Sequence, residues 1–556
     1  MKRPHPRISS TTLLASLTLL AVHAGFAQKA APAAQPLPMA QIAATKQNLA
    51  KKAKHHKQAD DFFLGPIVHL EFKFKPEEWE NLKKDNRRYA ECELIETAPD
   101  GTKKQYKSVA VKLKGAAGSS QGPDQKPGLT VSLAKLKGAD RFHGMEKFHL
   151  NNCAQDGSYL NEYVGGEMAR VAGVPASRCT HALVKWNGRD LGLYVFKEAF
   201  TKDFLSYFFE QTNGSLYDGH FIAEIDGNLE KQQGGDRADT RDLKALAAAC
   251  KEGDPKVRWQ KVFERLDVDE YLRSLAMETF LCHWDGYNFN RNNYRVYFDP
   301  KTGKANFFIH GIDQIYGDAN WPVVRDPGSL VGQAVWSNPD WKAHYTKVAK
   351  AIYEKVLKPI DWEARIAQQG RKVQEAMARQ NPQWAKDYQG QINGTRDRVM
   401  GRLASIGKQF GDLPKPIEWV NNVAKLGPKQ WRTEGGGVMD EQTVDGQRCF
   451  HLRADATAAA SWRRTMMLPP GRYRFEAIAK TAGVQGGGDE SGEGAGLRVS
   501  GGSRKGVNGL TGNPAWTKLG IEFDSTGADT VLVAELRAPQ GEAWFQVESL
   551  QLVKLK

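Results

Sequence analysis

The stretch Asp285–Asp313, DGYNFNRNNYRVYFDPKTGKANFFIHGID, decides how the rest of this chain is read. Just before it, Asp267 and Glu270 make a capping-box-like start, and Leu272, Leu275, Ala276, Thr279 and Phe280 recur at helical spacing. The pattern predicts a buried helix ending near Gly286. Asp285 then stands at the carboxyl end of that helix, where the helix dipole disfavours an anion unless a cation or proton donor is near. Tyr294–Phe298 and Ala305–Ile309, separated by the turn Asp299-Pro300-Lys301-Thr302-Gly303, predict a β-hairpin. Gly311-Ile312-Asp313 follows it with a second carboxylate.

Helix, acidic loop, hairpin and acid follow one another as in a protein-kinase catalytic loop and its metal-binding Asp, and Asp285 to Asn290 has the D-x-x-x-x-N spacing. The chemistry explains the residue types. Phosphoryl transfer needs a carboxylate to orient the attacking hydroxyl, and an amide oxygen with a second carboxylate to hold a divalent cation over the phosphates. Acids and Asn after a helix also arise as caps and turn formers. Upstream, Val109–Leu113 alternates as a strand into the glycine-rich 114–122 loop, and Lys126 precedes a second strand-like run, Leu129–Leu133. Such a loop brings backbone amides close to phosphate, and a following Lys neutralises it, although glycine loops are more often plain turns. A helix from about Ser158 places Leu160, Tyr163, Val164, Met168 and Val171 on one face, with Glu162 off it as a partner for Lys126 or a solvated surface acid.

The flanking regions set the organisation. Basic Lys2, Arg3 and Arg7, an apolar run from Leu13 to Val22 and small residues up to Ala27 read as a cleavable signal peptide, residues 1–27, which implies a periplasmic or secreted protein with no transmembrane helix in the mature chain. Residues 28–60, rich in Ala, Gln, Pro and Lys, read as a flexible linker, with order beginning near Phe62. A mixed domain over 61–413 and an all-β sandwich over 416–556 follow. The latter carries the strand-like runs Arg472–Ala479, Leu519–Phe523 and Thr530–Leu536 between glycine-rich turns. With 40% hydrophobic and 26% charged residues in 556, ordinary cores are expected. The net charge of +14 comes without aromatic interleaving in any nucleic-acid module, so no nucleic-acid partner is expected. Six cysteines lack C-x-x-C spacing and specify no metal site; disulfides and buried thiols stay open. Trp462, Trp516 and Trp544 in the tail are core residues or sugar platforms, and Asp489, Glu490 and Glu493 a solvated acidic turn or a calcium site.

Four segments together resemble the CotH kinase family: Val111–Gly115, Phe148–Asn152 continuing through Ala172–Ala176, Leu191–Glu198, and Asp285–Asp313. The resemblance spans about Phe62 to Lys408. It implies an α+β, atypical bilobal protein-kinase-like domain that transfers phosphate from ATP, with Mg2+ or Mn2+, to Ser or Thr of a protein substrate. Carried over, it implies Lys126 on phosphate with Glu162 beside it, Glu198 lining the adenine pocket, Asp285 facing the substrate hydroxyl, and Asn290 or Asn293 with Asp313 on the metal. The tail resembles β-sandwich modules that bind polysaccharide. Three departures stand out: Gly311 replaces a common acid, Lys114 replaces the loop Arg, and Lys126 is followed by Pro127. Gly311 favours the alternative, a catalytically silent scaffold for a surface polymer or protein.

Overall fold

The computed structural model describes residues 53–116, 118–136, 141–412, 418–454, 459–526 and 529–555. The stretch read as a signal peptide and most of that read as a linker lie outside them. Two compact units form, one from residues up to Ser337 with His344–Gly411, the other from Asn338–Ala343 with Asp412–Lys556. No helix among the described residues is long and apolar enough to cross a membrane.

In the first unit, β1 (Val68–Phe74), β2 (Ala90–Thr97), β3 (Lys103–Lys114), β4 (Gly128–Ser132), β5 (Lys147–Asn151), β6 (Cys179–Trp186) and β7 (Arg189–Glu198) close into a barrel, in the order β1-β2-β3-β4-β5-β7-β6. The parallel pairing of β1 with β6 closes it. Period-two alternation turns Val109, Val111, Leu113, Leu129, Val131, Phe148, Leu150 and Phe196 inward into one core. Each such burial contributes roughly 1.5–3 kcal/mol. The intervening residues therefore face outward, and the register lines up Lys112, Thr130, His149 and Lys197 across β3, β4, β5 and β7. That row becomes one wall of the site.

Order begins earlier than the composition implied. Helix α1 (Ala53–Leu64) occupies the end of the stretch read as a linker, because Phe62 and Phe63 anchor it in the barrel core, with Phe62 at 5.2 Å from Phe142 and 4.7 Å from Phe196. Glu162 is also relocated. It lies on α2 (Asn161–Val171) as a buried residue rather than a surface acid.

Helix α3 (Val268–Phe280) is capped as expected, Asp267 accepting from the Glu270 amide at 3.1 Å. It stops at Phe280, short of Gly286, since Cys282 takes a left-handed conformation (φ 54°). A single helical turn, Tyr287–Asn290, follows and ends at Arg291, also left-handed (φ 53°). The predicted hairpin forms as β10 (Tyr294–Asp299) and β11 (Lys304–Ile309), in a four-stranded sheet with β8 (Leu216–Asp218) and β9 (Glu230–Gln233). The first unit is thus a mixed helix and strand body with a closed barrel.

The second unit has two antiparallel sheets. One includes Gln447–Arg453, Gly471–Gln485 and Gln540–Gln546, and the other Ala460–Met467, Gly494–Val499 and Asp529–Arg537. Phe450, Phe475 and Phe545 of the first meet Trp462, Leu497 and Ala534 of the second in a shared core. Trp462 is therefore a core residue, stacked on Phe450 at 4.2 Å. Trp544 lies against His451 at 5.1 Å, and Lys480 sits over the Trp516 ring at 4.8 Å, so neighbouring side chains already occupy one side of each ring. All six cysteines are free.

Candidate active site

The outward row of the barrel meets α2, the Asp285–Asn293 loop and the segment after β11, and charge gathers where they converge. Lys197 donates to Glu162 Oε1 at 2.7 Å, both side chains only 3% exposed. Asn151 donates to Glu162 Oε2 at 2.9 Å and accepts from Lys114 through Oδ1. This chain of contacts, Lys114, Asn151, Glu162, Lys197, follows from strand register, in which β4 separates β3 from β5 and Lys114 pairs with Gly128, and β5 lies beside β7. It corrects the expected pairing of Glu162 with Lys126. Lys126 instead donates to the Tyr159 hydroxyl at 2.8 Å and lies over the rings of Tyr159 and Tyr194 at 4.9 and 5.0 Å.

Burial pulls the Lys114 ammonium down to about 8, helped by the like charge of Lys197 and opposed by Glu162 and Asp313. His149 and His310 are held well below the usual histidine range by burial and by Lys114, Lys197 and Arg295. Burial also brings His283 down to about 4, and it donates to the His310 carbonyl at 3.0 Å. The histidines are neutral near pH 7, so the positive potential comes from Lys114, Lys197 and Arg295.

On the opposite side, Asp285 is held by three amides: Asn290 donates to Oδ1 at 2.6 Å, Asn292 to both oxygens at 3.1 and 3.0 Å, and Asn293 to Oδ2 at 2.7 Å. Because α3 stops at Phe280, Asp285 stands past its carboxyl end and just before the Tyr287–Asn290 turn, and these amides rather than a helix-end partner hold it. Glu278 of α3 holds the loop from beneath, accepting from the Tyr287 and Asn288 amides at 3.2 and 2.9 Å, and burial pushes its carboxyl up to about 7. Gly311 has φ 56°, and a Cβ there would collide with the Asn293 amide. The missing acid at 311 is therefore a consequence of where Asn293 sits.

Asp313 faces this cluster. Burial and the nearby Glu162 carboxylate raise it to about 6, against the pull of its own backbone amide and of Lys197. Asn161 holds its carbonyl at 2.6 Å, while no described side chain pairs with its carboxylate. Glu198 is engaged elsewhere, receiving Arg178 through both oxygens at 2.8 and 2.6 Å. Its carboxylate is thus committed to an ion pair.

Magnesium takes hard oxygen ligands and keeps water and phosphate oxygens in its shell, so it needs only one or two protein carboxylates. The donors fit: Asp313 offers an unpaired carboxylate, and Asn290 and Asn293 direct Nδ2 at Asp285, leaving Oδ1 as the amide donor. Among the described residues no three His, Cys, Asp or Glu side chains form a metal cage. The sequence reading missed Lys197, Asn151, Asn292 and Glu278. A signal for Lys197 was present: a lysine directly after the apolar run Leu191–Phe196 in a strand is a charge that burial forces to find a partner.

Curated relatives share parts of this region. Invasin CotH2 of Rhizopus delemar is 21% identical over 287 residues, 42% of this chain and 48% of that protein. The inner spore coat protein H of Bacillus subtilis is 25% identical over 195 residues, 32% of this chain and 51% of that protein. The chain thus spans about half the length of these relatives. Among solved structures, a family 61 carbohydrate-binding module in complex with β-1,4-galactotriose overlaps at TM-score 0.18 and 15% identity, covering 23% of this chain and 90% of that one. A CBM22-1 xylan-binding domain of Paenibacillus barcinonensis overlaps at TM-score 0.16 and 14% identity, covering 24% and 90%. The two-sheet architecture rests on strand pairing rather than on these overlaps. The family model described as CotH kinase protein matches residues 112–397, more than half of the chain and the whole stretch from Lys114 to Asp313, and the chain belongs to that family.

Proposed function

We propose that this chain is an ATP-dependent phosphotransferase that acts on Ser or Thr hydroxyls of a protein acceptor outside the inner membrane. One observation carries the proposal: the buried Lys197–Glu162 pair stands beside an unpaired Asp313, across from an amide-held Asp285. Lys197 and Lys114 bind and orient the phosphates, and Glu162 with Asn151 fixes where those cations point. Asp313 and the Oδ1 of Asn290 or Asn293 would hold a divalent cation, whose charge would neutralise the phosphates. Asp285 accepts the hydroxyl proton while the acceptor oxygen bonds to phosphorus and the bridging oxygen leaves with ADP. Lys126 is left as an aromatic-bound cation at the edge of this reading. Export of the protein belongs to the same reading and draws support from relatives whose names are an invasin and a spore coat protein; a polysaccharide partner for the sandwich is part of the proposal as well.

Gly311 favours a second reading, a catalytically silent scaffold, since the Asn293 contact keeps an acid out of that position. The test is binding of ATP with Mg2+ or Mn2+ by the mature chain, and transfer of labelled phosphate to itself or to casein. Asp313→Ala is expected to lose nucleotide binding, and Asp285→Ala to bind but not transfer. A wild-type chain that binds no nucleotide with either metal supports the scaffold.

A further inference from the structure

Beside the Asp285 loop lies an exposed patch that the phosphate chemistry does not use. Phe289, in the same helical turn as Asn290, meets the edge of Trp321 at 5.6 Å. The Arg325 guanidinium covers both rings, 4.2 Å from the Trp321 centroid and 5.4 Å from that of Phe289. Arg325 and Arg291 are exposed, and neither has a carboxylate partner among the described residues. The acids of the same segment are turned to other work: Asp318 caps the Asn320 amide at 2.8 Å, and Asp326 accepts from Trp336. The Trp321 indole Nε1 is buried without a hydrogen-bond partner, a donor of the kind folded proteins usually satisfy. Trp284, immediately before Asp285, is 45% exposed.

A guanidinium fixed on two aromatic faces is pre-organised, so little side-chain freedom remains to be lost when it pairs with a carboxylate. Arg291 extends the positive charge along the loop whose Asn290 and Asn292 hold Asp285. We propose that this patch docks an acidic peptide segment of the protein acceptor, with Glu or Asp side chains on Arg325, which the Trp321 and Phe289 rings hold in place, and on Arg291, and the acceptor hydroxyl delivered to Asp285. The substrate class is a Ser or Thr flanked by acids. This deepens the phosphotransferase reading and rests on it for the hydroxyl, while docking itself is separable from transfer.

The experiment therefore has two readouts on the full mature chain. Fluorescein-labelled peptides of matched length, carrying one Ser flanked by Glu, Gln or Lys, are titrated by anisotropy without nucleotide, and then phosphate transfer to each is measured. The Glu peptide is expected to bind in preference to the other two, and more weakly as salt rises. Arg325→Ala weakens it about fivefold or more, Trp321→Phe weakens it less, and neither changes ATP affinity. If the wild type prefers the Gln or Lys peptide, or if folded Arg325→Ala binds the Glu peptide as wild type does, the docking proposal is overturned. Preferential binding of an anionic polysaccharide over the Glu peptide at the same residues also overturns it. Docking with no transfer to any peptide removes the phosphotransferase reading and leaves the docking surface standing.

Discussion

Two buried glutamates, one in each unit, separate charge kept for structure from charge kept for a ligand. Glu535, 0% exposed, accepts from Arg498 at 2.7 and 3.1 Å, from Arg504 at 2.7 and 3.3 Å and from Asn508 at 2.8 Å. Burial alone would raise its carboxyl, but these donors hold it below the usual range. Glu162 accepts from Lys197 and Asn151, and the Lys197 ammonium makes only that one hydrogen bond among the described residues although it has three donors. In the sandwich network, donors of the same unit engage both oxygens of the acid. The barrel network leaves donor capacity beside the unpaired Asp313, which is the arrangement an incoming polyanion with its metal would complete.

The comparison breaks most visibly at Glu535. Glu535→Ala leaves the buried Arg498 and the partly exposed Arg504 without their acid and is expected to destabilise the sandwich by about 3 kcal/mol, read by urea denaturation, with ATP affinity unchanged. The double variant Lys197→Met, Glu162→Gln removes both charges of the barrel pair together. Its stability should fall by only about 1 kcal/mol, while phosphate transfer drops at least about a hundredfold. A double variant as destabilised as Glu535→Ala would place both networks in the same structural role.

Titration sharpens the same contrast. Lys114 falls from the ordinary lysine range to about 8 in the folded chain, so the unfolded state binds more protons from there up to the ordinary lysine value. Stability from this group therefore rises as pH climbs through that window, whereas ATP affinity falls severalfold above pH 8 as Lys114 loses its charge. Lys114→Gln should flatten that fall in a fluorescence titration across pH 7–9.5. The smallest effect is expected at Gly311. Gly311→Ala forces an L side chain into a left-handed conformation against Asn293, costing about 1–2 kcal/mol, with transfer reduced through the displaced amide.

The readings that succeeded were local ones. The Asp267 cap, the apolar face of α3, the hairpin around Asp299–Gly303 and the strands through Arg472–Ala479 and Thr530–Leu536 each depend on residues within one or two turns or strand pairs. Asp285 with Asn290 was legible for the same reason, since five positions of chain bring them together. The linker reading failed over residues 53–60 because that helix is stabilised by where Phe62 and Phe63 at its end land, which composition does not carry.

By itself the sequence determined the mixed body followed by a β-rich tail, the helix-loop-hairpin order and the acids at 285 and 313, because hydrophobic period, caps and turn residues act over short range. Tertiary structure alone decided which charges meet. Glu162 finds Lys197, 35 residues away, only after β5 pairs with β7 in a register that turns Asn151 and Lys197 to the same face, and Glu198 finds Arg178 only on the other side of that barrel wall. A buried charge takes the partner that the strands deliver to it, and strand register is set by the whole core rather than by the residues around the charge.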